Sequence, residues 1–249
     1  MRQPHGQNFL TDNNIASKIV KSAGISKDDF VIEVGPGKGV LTDILKTLTD
    51  KLIIVDIDKK LVADLCVKYK DDKNIEVVNM DFLKFNLPDA GFKVVANLPY
   101  NVGTAIIQKI LPDPNLVSAV VMLQKDVITR LLSPSGSKEY GYISIFRDYY
   151  ADGEFLFDVP PGCFNPKPQV MSSVAKFINK QPQSPDQKLF PLIKHCFSMR
   201  RKTILNCLSS HMKSDKEQAL ALLEKAGINH MERPDKLDLD KYIKLAGLL

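Results

Sequence analysis

The sequence contains little that would build a disulfide framework or a zinc site. It has four cysteines in 249 residues, and they are scattered without any CxxC pair. This spacing is typical of reduced thiols in a cytosolic protein. Cys207 and His211 lie four residues apart, but two candidate ligands do not make a metal site, so we expect no bound metal.

Long hydrophobic runs are also missing. The longest, LVSAVVML at 116–123, is too short to cross a bilayer, and the stretch MRQPHGQNFLTDN has no apolar core of signal-peptide length. We therefore expect a cytoplasmic protein with no membrane partner. A chain of 249 residues is long enough for one large α/β unit with a smaller appendage.

The net charge of +5 is small, and its distribution is more informative. Residues 181–249 carry 12 basic against 8 acidic side chains, whereas residues 1–180 carry 22 against 21. The basic excess therefore lies mostly in the last part of the chain. Such asymmetry is compatible with a polyanionic partner, although an ordinary solvated surface explains it as well.

Residues 30–124 alternate short β-branched runs with segments of helical periodicity. Strands separated by helices of this length predict βαβ units and a parallel sheet that is covered on both faces. Residues 142–159 show no clear helical pattern and are predicted to form antiparallel strands or a long hairpin, with 170–178 as a further strand. The expected fold class is α/β, with an antiparallel edge on a mostly parallel sheet.

A second domain is predicted after the polar segment 178–187, which contains two prolines and resembles a linker. The pattern beyond it is helical throughout. We expect domain boundaries of 1–180 for the α/β domain and 184–249 for a small all-helical domain.

The glycine-rich segment EVGPGKG at 33–39 follows the first predicted long strand and precedes a helix. Doubly wound sheets bind cofactors at such a turn, outside the carboxyl ends of their strands. Gly35, Gly37 and Gly39 let the backbone turn tightly and approach a ligand. Their spacing is GxGxG, so the GxGxxG pyrophosphate fingerprint is not met.

Polar residues follow the next three predicted strands. Asp56 ends LIIVD, Asp81 follows IEVVNM, and Asn97 ends FKVVAN. Because parallel strands end at the same edge of a sheet, these residues are expected to share one rim with the glycine loop. Helix caps and turns are the commoner role of Asp and Asn after a strand, and that alternative stays open.

The segment NLPY at 97–100 places an amide, a hydrophobic residue, a proline and an aromatic directly after the apolar run VVA. Pro99 prevents the strand from continuing as a central one. The corner is therefore predicted to serve a ligand outside the sheet.

Six segments together resemble a known family. GQNFL (6–10), EVGPGKG, NLPY, GSKEYG (136–141), FNPKPQVMSS (164–173) and RRKTILN (200–206) are similar, in order and over nearly the whole chain, to the bacterial small-subunit (16S) ribosomal RNA adenine N6,N6-dimethyltransferases. The resemblance implies a Rossmann-like S-adenosylmethionine-dependent methyltransferase domain with a small helical C-terminal domain. It also implies dimethylation of two adjacent adenosines near the 3′ end of that RNA, and a role in maturation of the small subunit.

The resemblance further implies roles for individual residues. Asn8 and Leu10 line the cofactor site with Gly35 and Gly37, Asp56 holds the ribose, Asp81 meets the adenine amino group, and Asn97 stands between cofactor and target base. The family more often has Glu at the position of Asp56. Only Arg2 and His5 supply basic character before GQNFL, where the family usually has several basic residues.

For the chemistry, we expect the side-chain oxygen of Asn97 and the backbone carbonyl of Leu98 to accept the two N6 hydrogens of adenine. Pro99 would make this corner rigid, and Tyr100 would offer a flat surface to the base. Phe164 is a candidate for the opposite side of the base. A core aromatic at the start of a proline-stiffened loop is an equal alternative for Phe164.

RNA contacts are expected from Arg200, Arg201 and Lys202, with Lys167 near the pocket. A surface facing ordinary solvent is the alternative for the RRK segment. The expected partner is small-subunit ribosomal RNA within an immature 30S particle, and the protein is expected to be a monomer.

Four rival functions remain open from the sequence. The nearest is methylation of large-subunit ribosomal RNA by the sister family that confers macrolide resistance, and a DNA adenine methyltransferase is more distant. A ribosome-assembly factor without catalysis belongs to a different class. A nicotinamide-dependent oxidoreductase lacks the required glycine spacing.

Overall fold

The structure is a computed structural model that describes residues 8–181 and 187–249. The described residues divide into two compact units. One comprises the residues up to Ile128 together with Ala151–Asn179, and the other comprises Thr129–Tyr150 together with Lys180–Leu249. The expected boundary at 180 differs from this division, because residues 129–150 pack with the second unit. Of the segment interpreted as a linker, residues 182–186 lie outside the described residues.

The strands are β1 (Phe9–Leu10), β2 (Phe30–Val34), β3 (Lys51–Asp56), β4 (Ile75–Asn79), β5 (Phe92–Asn97), β6 (Leu116–Gln124), β7 (Ala151–Val159), β8 (Phe164–Asn165) and β9 (Ser172–Asn179). The helices are α1 (Asn13–Ala23), α2 (Thr42–Leu45), α3 (Lys59–Lys68), α4 (Gly103–Ile110), α5 (Lys125–Leu132), α6 (Tyr142–Tyr150), α7 (Leu189–Ser198), α8 (Ile204–Met212), α9 (Lys216–Ala226) and α10 (Leu239–Ala246).

Within the described part of the chain, seven strands form one sheet in the order β4-β3-β2-β5-β6-β9-β7. The first five are parallel, and β9 and β7 add the antiparallel edge. This confirms the predicted α/β class. The chain runs outward from β2 to β4 and then returns to β5 on the other side of β2. Open α/β sheets bind ligands at such a switch point, outside the carboxyl ends of the strands.

The core strands are buried along almost their whole length, as expected of parallel strands covered on both faces. Eight of the nine residues of β6 are at least partly buried, and β2 is fully buried from residue 31 to 34. The amphipathic helix α1 packs its buried side chains into the same core, which also receives side chains from β3, β5, β7 and β9. This packing fixes where each parallel strand ends.

A small antiparallel sheet of two strands, β1 and β8, fixes the segment that precedes α1. Leu10 pairs with Phe164 across this sheet. The backbone N–H and the hydroxyl of Thr11 both donate to the carbonyl of Cys163, at 2.9 and 3.1 Å. The side chain of Asp12 then caps the first turn of α1. Asn8, the described residue before β1, is therefore held at a defined place, where its carbonyl accepts the side-chain N–H of Asn97.

Residues 142–150 form the helix α6, so the prediction of strands here is wrong. Aromatic and β-branched residues favour strands by propensity, but tertiary packing decides this segment. Ile145, Phe146 and Tyr150 are buried at helical spacing. Phe146 and Tyr150 lie 5.4 and 5.7 Å from the ring of Phe190 in α7. The prediction holds only for the second half of the segment, where β7 begins at Ala151.

All the regular secondary structure among the described residues of the second unit is helical, which agrees with the expected helical C-terminal region. Its core contains buried side chains from α6 to α10. These include Ile193, Cys196, Cys207, Leu223 and Tyr242. No helix among the described residues is both long enough and apolar enough to cross a membrane.

Candidate active site

A cavity opens at the carboxyl ends of the parallel strands, within the first unit. Its walls come mainly from five segments, 8–10, 33–38, 55–57, 80–83 and 97–102. Four of these segments end or follow β2, β3, β4 and β5, and the fifth contains β1. The cavity brings together all the residues expected at a cofactor site: Asn8, Leu10, Gly35, Gly37, Asp56, Asp81 and Asn97. Gly6 and Gln7 of the GQNFL segment lie outside the described residues.

Two glycines of the loop between β2 and α2 are required by the close approach of aromatic side chains. Gly37 and Gly39 both have positive φ angles, +58° and +83°. A Cβ atom at Gly37 would lie 2.7 Å from Cδ1 of Phe9, and one at Gly39 would overlap the hydroxyl of Tyr69. Other residues would be strained by this backbone as well as by the contacts. The GxGxG spacing thus fits a loop held between Phe9 and Tyr69.

Asp56 ends β3 and is only 7% exposed. Its carboxylate accepts the backbone N–H of Asp58 at 2.9 Å, and the backbone N–H groups of Gly37 and Ile57 are close enough to favour its charged form. Burial raises the pKa of Asp56, and these N–H groups partly oppose that rise. The carboxylate is therefore fixed at the start of α3, and it lines the cavity where a ligand hydroxyl would meet it.

Asp81 both caps a turn and lines the cavity, the two roles that the sequence left as alternatives. Its Oδ1 accepts the backbone N–H of Leu83 at 3.0 Å and caps a short 3-10 turn at Phe82–Lys84. The same side chain lines the cavity. Among the described residues no donor reaches its other carboxylate oxygen. One oxygen therefore fixes the orientation of the carboxylate, and the other is left as an acceptor.

Asn97 ends β5 at the centre of the rim. Its Nδ2 donates to the backbone carbonyl of Asn8 at 3.2 Å, so the amide nitrogen is directed toward the residue before β1. The amide oxygen receives no hydrogen bond from the residues that the structure describes. Because the amide is fixed through its nitrogen, its oxygen remains as a free acceptor on the cavity wall.

The two residues after Asn97 form the corner between β5 and α4. Leu98 as a whole is 1% exposed, it contributes to the cavity wall, and its N–H donates to the carbonyl of Met122 in β6 at 3.1 Å. The carbonyl of Pro99 accepts the N–H of Gly103 at 2.8 Å and so begins α4. No donor among the described residues reaches the carbonyl of Leu98. The corner therefore presents two neighbouring acceptors, one from Asn97 and one from Leu98.

Tyr100 lines the cavity beside these acceptors and is partly buried. Its hydroxyl lies 2.6 Å from Oγ of Ser172, the first residue of β9. Burial raises the pKa of the phenol, and the hydrogen bond to Ser172 partly opposes this. The ring is thus anchored at its polar end.

Phe164 does not line the cavity. Its side chain is 2% exposed and belongs to the main apolar core, in the β8 strand that pairs with Leu10. Of the two interpretations drawn from the sequence, the structure therefore places Phe164 as a core aromatic. Its connection to the site is indirect, because it supports the β1 strand that follows Asn8.

The residues expected to contact RNA lie outside the cavity. Lys167 is exposed in the first unit, between β8 and β9. Arg200, Arg201 and Lys202 form the turn between α7 and α8 in the second unit, where the last two are exposed. Arg200 donates through Nη2 to the carbonyl of Lys138 at 2.5 Å, so part of its hydrogen-bonding capacity is already used.

Sequence reasoning missed Glu33 as a site residue. Glu33 is 1% exposed in the middle of the sheet and contributes to the cavity wall. Its Oε2 accepts the hydroxyl of Thr42 at 2.6 Å. Burial raises the pKa of Glu33 to about 8, although the bond from Thr42 opposes this. The signal was available in the sequence, since an acidic residue within the strand FVIEV is unusual for a fully buried strand.

The sequence analysis also overlooked an apolar rim. Ile57, Met80 and Leu83 remain 52%, 42% and 38% exposed, and all three line the cavity. Two of them adjoin the strand-end carboxylates Asp56 and Asp81. Exposed apolar side chains beside hydrogen-bonding carboxylates suit a ligand with a flat apolar ring and polar edges.

A model of the family described as ribosomal RNA adenine dimethylase matches residues 1–247. The chain belongs to this family. Ribosomal RNA small subunit methyltransferase A of Alkaliphilus metalliredigens (strain QYMF) is 40% identical over 254 residues, covering 96% of this chain and 88% of that protein. The protein of the same name from Coxiella burnetii (strain RSA 493 / Nine Mile phase I) is 36% identical over 258 residues, covering 100% and 98%.

Solved structures of similar proteins agree with this assignment. A dimethyladenosine transferase from Plasmodium falciparum superposes with a TM-score of 0.82 at 29% identity, covering 95% of each chain. The 23S rRNA methyltransferase ErmE superposes with a TM-score of 0.75 at 25% identity, covering 97% of this chain and 99% of that one. The Rossmann-like methyltransferase fold expected from the sequence is therefore confirmed.

Members of the dimethylase family use S-adenosylmethionine, and this chain is an S-adenosylmethionine-dependent ribosomal RNA adenine methyltransferase. The cavity fits that cofactor on its own chemistry. The strand-end carboxylates suit the ribose hydroxyls and the adenine amino group. The rim of Ile57, Met80 and Leu83 suits the face of the purine. The glycine loop lets the amino-acid part of the cofactor lie close to the backbone.

Proposed function

We propose that this dimethylase modifies N6 of two adjacent adenosines near the 3′ end of small-subunit ribosomal RNA. The observation that carries the chemistry is the pair of neighbouring acceptors at Asn97 and Leu98, beside a cavity that fits S-adenosylmethionine. The choice of the small subunit is supported by the relatives at 40% and 36% identity, whose names specify that subunit.

Cofactor binding is assigned to the cavity residues one by one. Asp56 would accept hydrogen bonds from the ribose hydroxyls, and the free oxygen of Asp81 would accept one from the adenine amino group. Asn8, Leu10 and the backbone at Gly35 and Gly37 would enclose the remaining part of the cofactor. The bound cofactor supplies an electrophilic methyl group.

The target nitrogen needs activation, because the lone pair of an exocyclic amine on adenine is delocalised into the ring. Asn97 Oδ1 and the Leu98 carbonyl can each accept one N6 hydrogen. Two such bonds draw the nitrogen toward a tetrahedral geometry and direct its lone pair away from the ring. The same bonds hold the nitrogen beside the methyl group, and holding two reacting groups in attack geometry can supply roughly 7–11 kcal/mol of the barrier reduction.

Tyr100 supplies a surface for the target base. Its hydroxyl bond to Ser172 holds the ring in place before a base arrives. Stacking of a base on an aromatic side chain contributes about 1–3 kcal/mol. That is comparable with the few kcal/mol needed to take a nucleotide out of its stack.

A second transfer follows from the same geometry. After the first, one proton leaves the nitrogen to water, and the monomethyl product keeps a single N6 hydrogen. Before the second transfer the demethylated cofactor must leave and a second S-adenosylmethionine must bind, and the remaining N6 hydrogen must be directed at Asn97 or Leu98. The same corner therefore serves both steps, with two acceptors in use in the first and one in the second, and no side chain with a strong base is required.

The partner assignment goes beyond the ribosomal RNA that defines the family. We assign the substrate to an immature 30S particle, with the protein acting as a cytoplasmic monomer. Lys167, Arg201 and Lys202 are exposed cations suited to phosphates, and Arg200 retains donors besides the one used on Lys138. Phosphate contacts of this kind make affinity fall as the salt concentration rises.

The large-subunit rival is tested directly, since the structurally similar ErmE is a 23S rRNA methyltransferase. Purified protein is incubated with tritiated S-adenosylmethionine and either immature 30S or immature 50S particles. We expect label in small-subunit RNA alone, at N6-dimethyladenosine. Label confined to the large subunit would overturn the proposed substrate.

A further inference from the structure

The glycine loop is held from the side away from the cavity by the end of α3. Lys68 donates through Nζ to the carbonyl of Lys38 at 3.2 Å. The hydroxyl oxygen of Tyr69 lies 3.2 Å from the carbonyl oxygen of Gly39. Lys38 lines the cavity, whereas Lys68 and Tyr69 do not. Two consecutive residues therefore contact the backbone of the loop, although neither of them lines the cavity.

Asp43 in the first turn of α2 connects the same two side chains. Its Oδ1 accepts the Tyr69 hydroxyl at 2.9 Å, and its Oδ2 accepts Lys68 Nζ at 2.7 Å. Because α2 directly follows the loop, the carboxylate joins the end of the loop to the end of α3. Tyr69 is 3% exposed, so its hydroxyl is shielded from water, and its single proton goes to the Asp43 carboxylate, which is the nearer and the charged acceptor.

The loop and the tyrosine also match in shape. The hydroxyl of Tyr69 occupies the space that a Cβ atom would take at Gly39, a residue with φ of +83°. The contact of the hydroxyl with the Gly39 carbonyl and this close approach both restrict the same peptide. Removing the hydroxyl frees the loop to sample other conformations, since glycine residues restrict the backbone least.

We propose that Tyr69 is a positioning residue for the cofactor, which keeps the glycine loop in the conformation that S-adenosylmethionine binds. The inference rests on the proposed function, in which the cavity beside residues 35–38 holds the cofactor. It assigns a part of the cofactor affinity to a side chain outside the cavity. The mechanism is preorganisation, because a loop that is already ordered loses less entropy when the ligand binds.

The test is Tyr69→Phe, which keeps the ring and removes only the hydroxyl. We expect the Kd of S-adenosylmethionine and of S-adenosylhomocysteine, measured by calorimetry, to rise about fivefold to tenfold, as loss of one hydrogen bond would produce. The KM for S-adenosylmethionine should rise with it. The kcat at saturating cofactor should stay within about twofold, because saturation restores the ordered loop.

Tyr242→Phe is the matched control. Tyr242 is also fully buried and donates its hydroxyl to a backbone carbonyl, that of Pro234 at 3.0 Å, in the second unit. Both variants should lower the melting temperature by a similar amount. Only Tyr69→Phe should change the two cofactor affinities, which a merely structural role would leave untouched.

Unchanged Kd values in a folded Tyr69→Phe protein would overturn the inference while leaving the proposed function intact. If that variant does not fold, Asp43→Ala replaces it, since Asp43 is partly exposed, does not line the cavity and accepts the Tyr69 hydroxyl. A rise in Kd of about twofold to threefold is then expected, and no rise would overturn the inference. Failure of the wild-type protein to bind S-adenosylmethionine would overturn the inference and the proposed function together.

Discussion

Asn97 Nδ2 lies 3.2 Å from the backbone carbonyl of Asn8, to which it donates a hydrogen bond. This bond joins the end of β5 to the residue that precedes β1. It also decides which atom of the amide faces a target base, because the nitrogen is used and the oxygen is free. The residue proposed to activate the base is therefore oriented by the segment proposed to enclose the cofactor.

Replacing Phe164 tests whether it serves the core or the target base. We expect Phe164→Leu to lower the free energy of unfolding by about 1–2 kcal/mol, because packing against β1 is lost from a buried site. The kcat at saturating substrates should stay within about threefold. Chemical denaturation and methyl-transfer assays measure the two effects.

Phe157→Leu provides the comparison, since Phe157 belongs to the same core and is 9% exposed. Similar losses of stability in both variants, with similar kcat values, are the expected pattern. A kcat that collapsed in Phe164→Leu alone, at full stability, would instead support a role in stacking on the base.

Glu33 makes the stability of the ligand-free protein depend on pH. Burial raises its pKa to about 8, from an ordinary value of 4.5, with further raising by Asp43 and Asp56 and lowering by Thr42 and Lys68. Between these two values the unfolded chain has released this proton while the folded protein keeps it. The contribution of Glu33 to the free energy of unfolding therefore falls as the pH rises through this window, and the loss is complete above pH 8.

Glu33→Gln removes this titration and keeps the size of the side chain. We expect the stability of the variant relative to the wild type to increase from pH 5 to pH 9, on the order of a few kcal/mol. Urea denaturation at pH 5, 7 and 9 measures the free energy of unfolding of both proteins, and the difference between them is compared across the three pH values. Parallel stability profiles for the two proteins would show that Glu33 does not titrate in this range.

Asp56 is predicted to carry much of the affinity for the cofactor. Asp56→Asn should raise the Kd of S-adenosylhomocysteine by about tenfold or more, since hydrogen bonds to charged groups contribute about 1.5–3 kcal/mol. Asp58→Asn is the control, because Asp58 caps α3 through the N–H groups of Lys60 and Leu61 and does not line the cavity. Calorimetry compares the two variants, and equal affinities would remove Asp56 from the site.

The sequence predicted the parallel strands and the rim because both follow from local patterns. Buried strands of a parallel sheet are continuously apolar, so Asp56 and Asn97 stand out at their ends. Parallel strands also end at one edge, which brings these residues together without any knowledge of the tertiary packing. The two-residue strands β1 and β8 have no comparable pattern, although they place Asn8 at the cavity.

Where the sequence analysis failed, contacts between residues distant in the sequence decide the structure. The segment 142–150 has strand propensity, but its aromatic residues pack on Phe190, some forty residues further along the chain. Phe164 is equally suited to stacking and to a core, and only its burial distinguishes them. Tyr69 offers no signal in the sequence, because its partner Gly39 is thirty residues away.

The acceptor role of Asn97 is tested most directly by the rate of a single methyl transfer. Asn97→Ala is compared with Asn115→Ala. Asn115 does not line the cavity, and its side-chain amide donates a similar hydrogen bond, to the Pro88 carbonyl at 3.3 Å. Both proteins are assayed at saturating S-adenosylmethionine and saturating 30S particles, with RNA affinity measured by filter binding.

We predict that Asn97→Ala lowers this rate by about 100-fold or more, as expected when a group that stabilises the transition state is removed. RNA affinity should stay within about twofold, and Asn115→Ala should transfer methyl groups at the wild-type rate. An Asn97→Ala protein that binds 30S particles and methylates them as fast as the wild type would contradict the account.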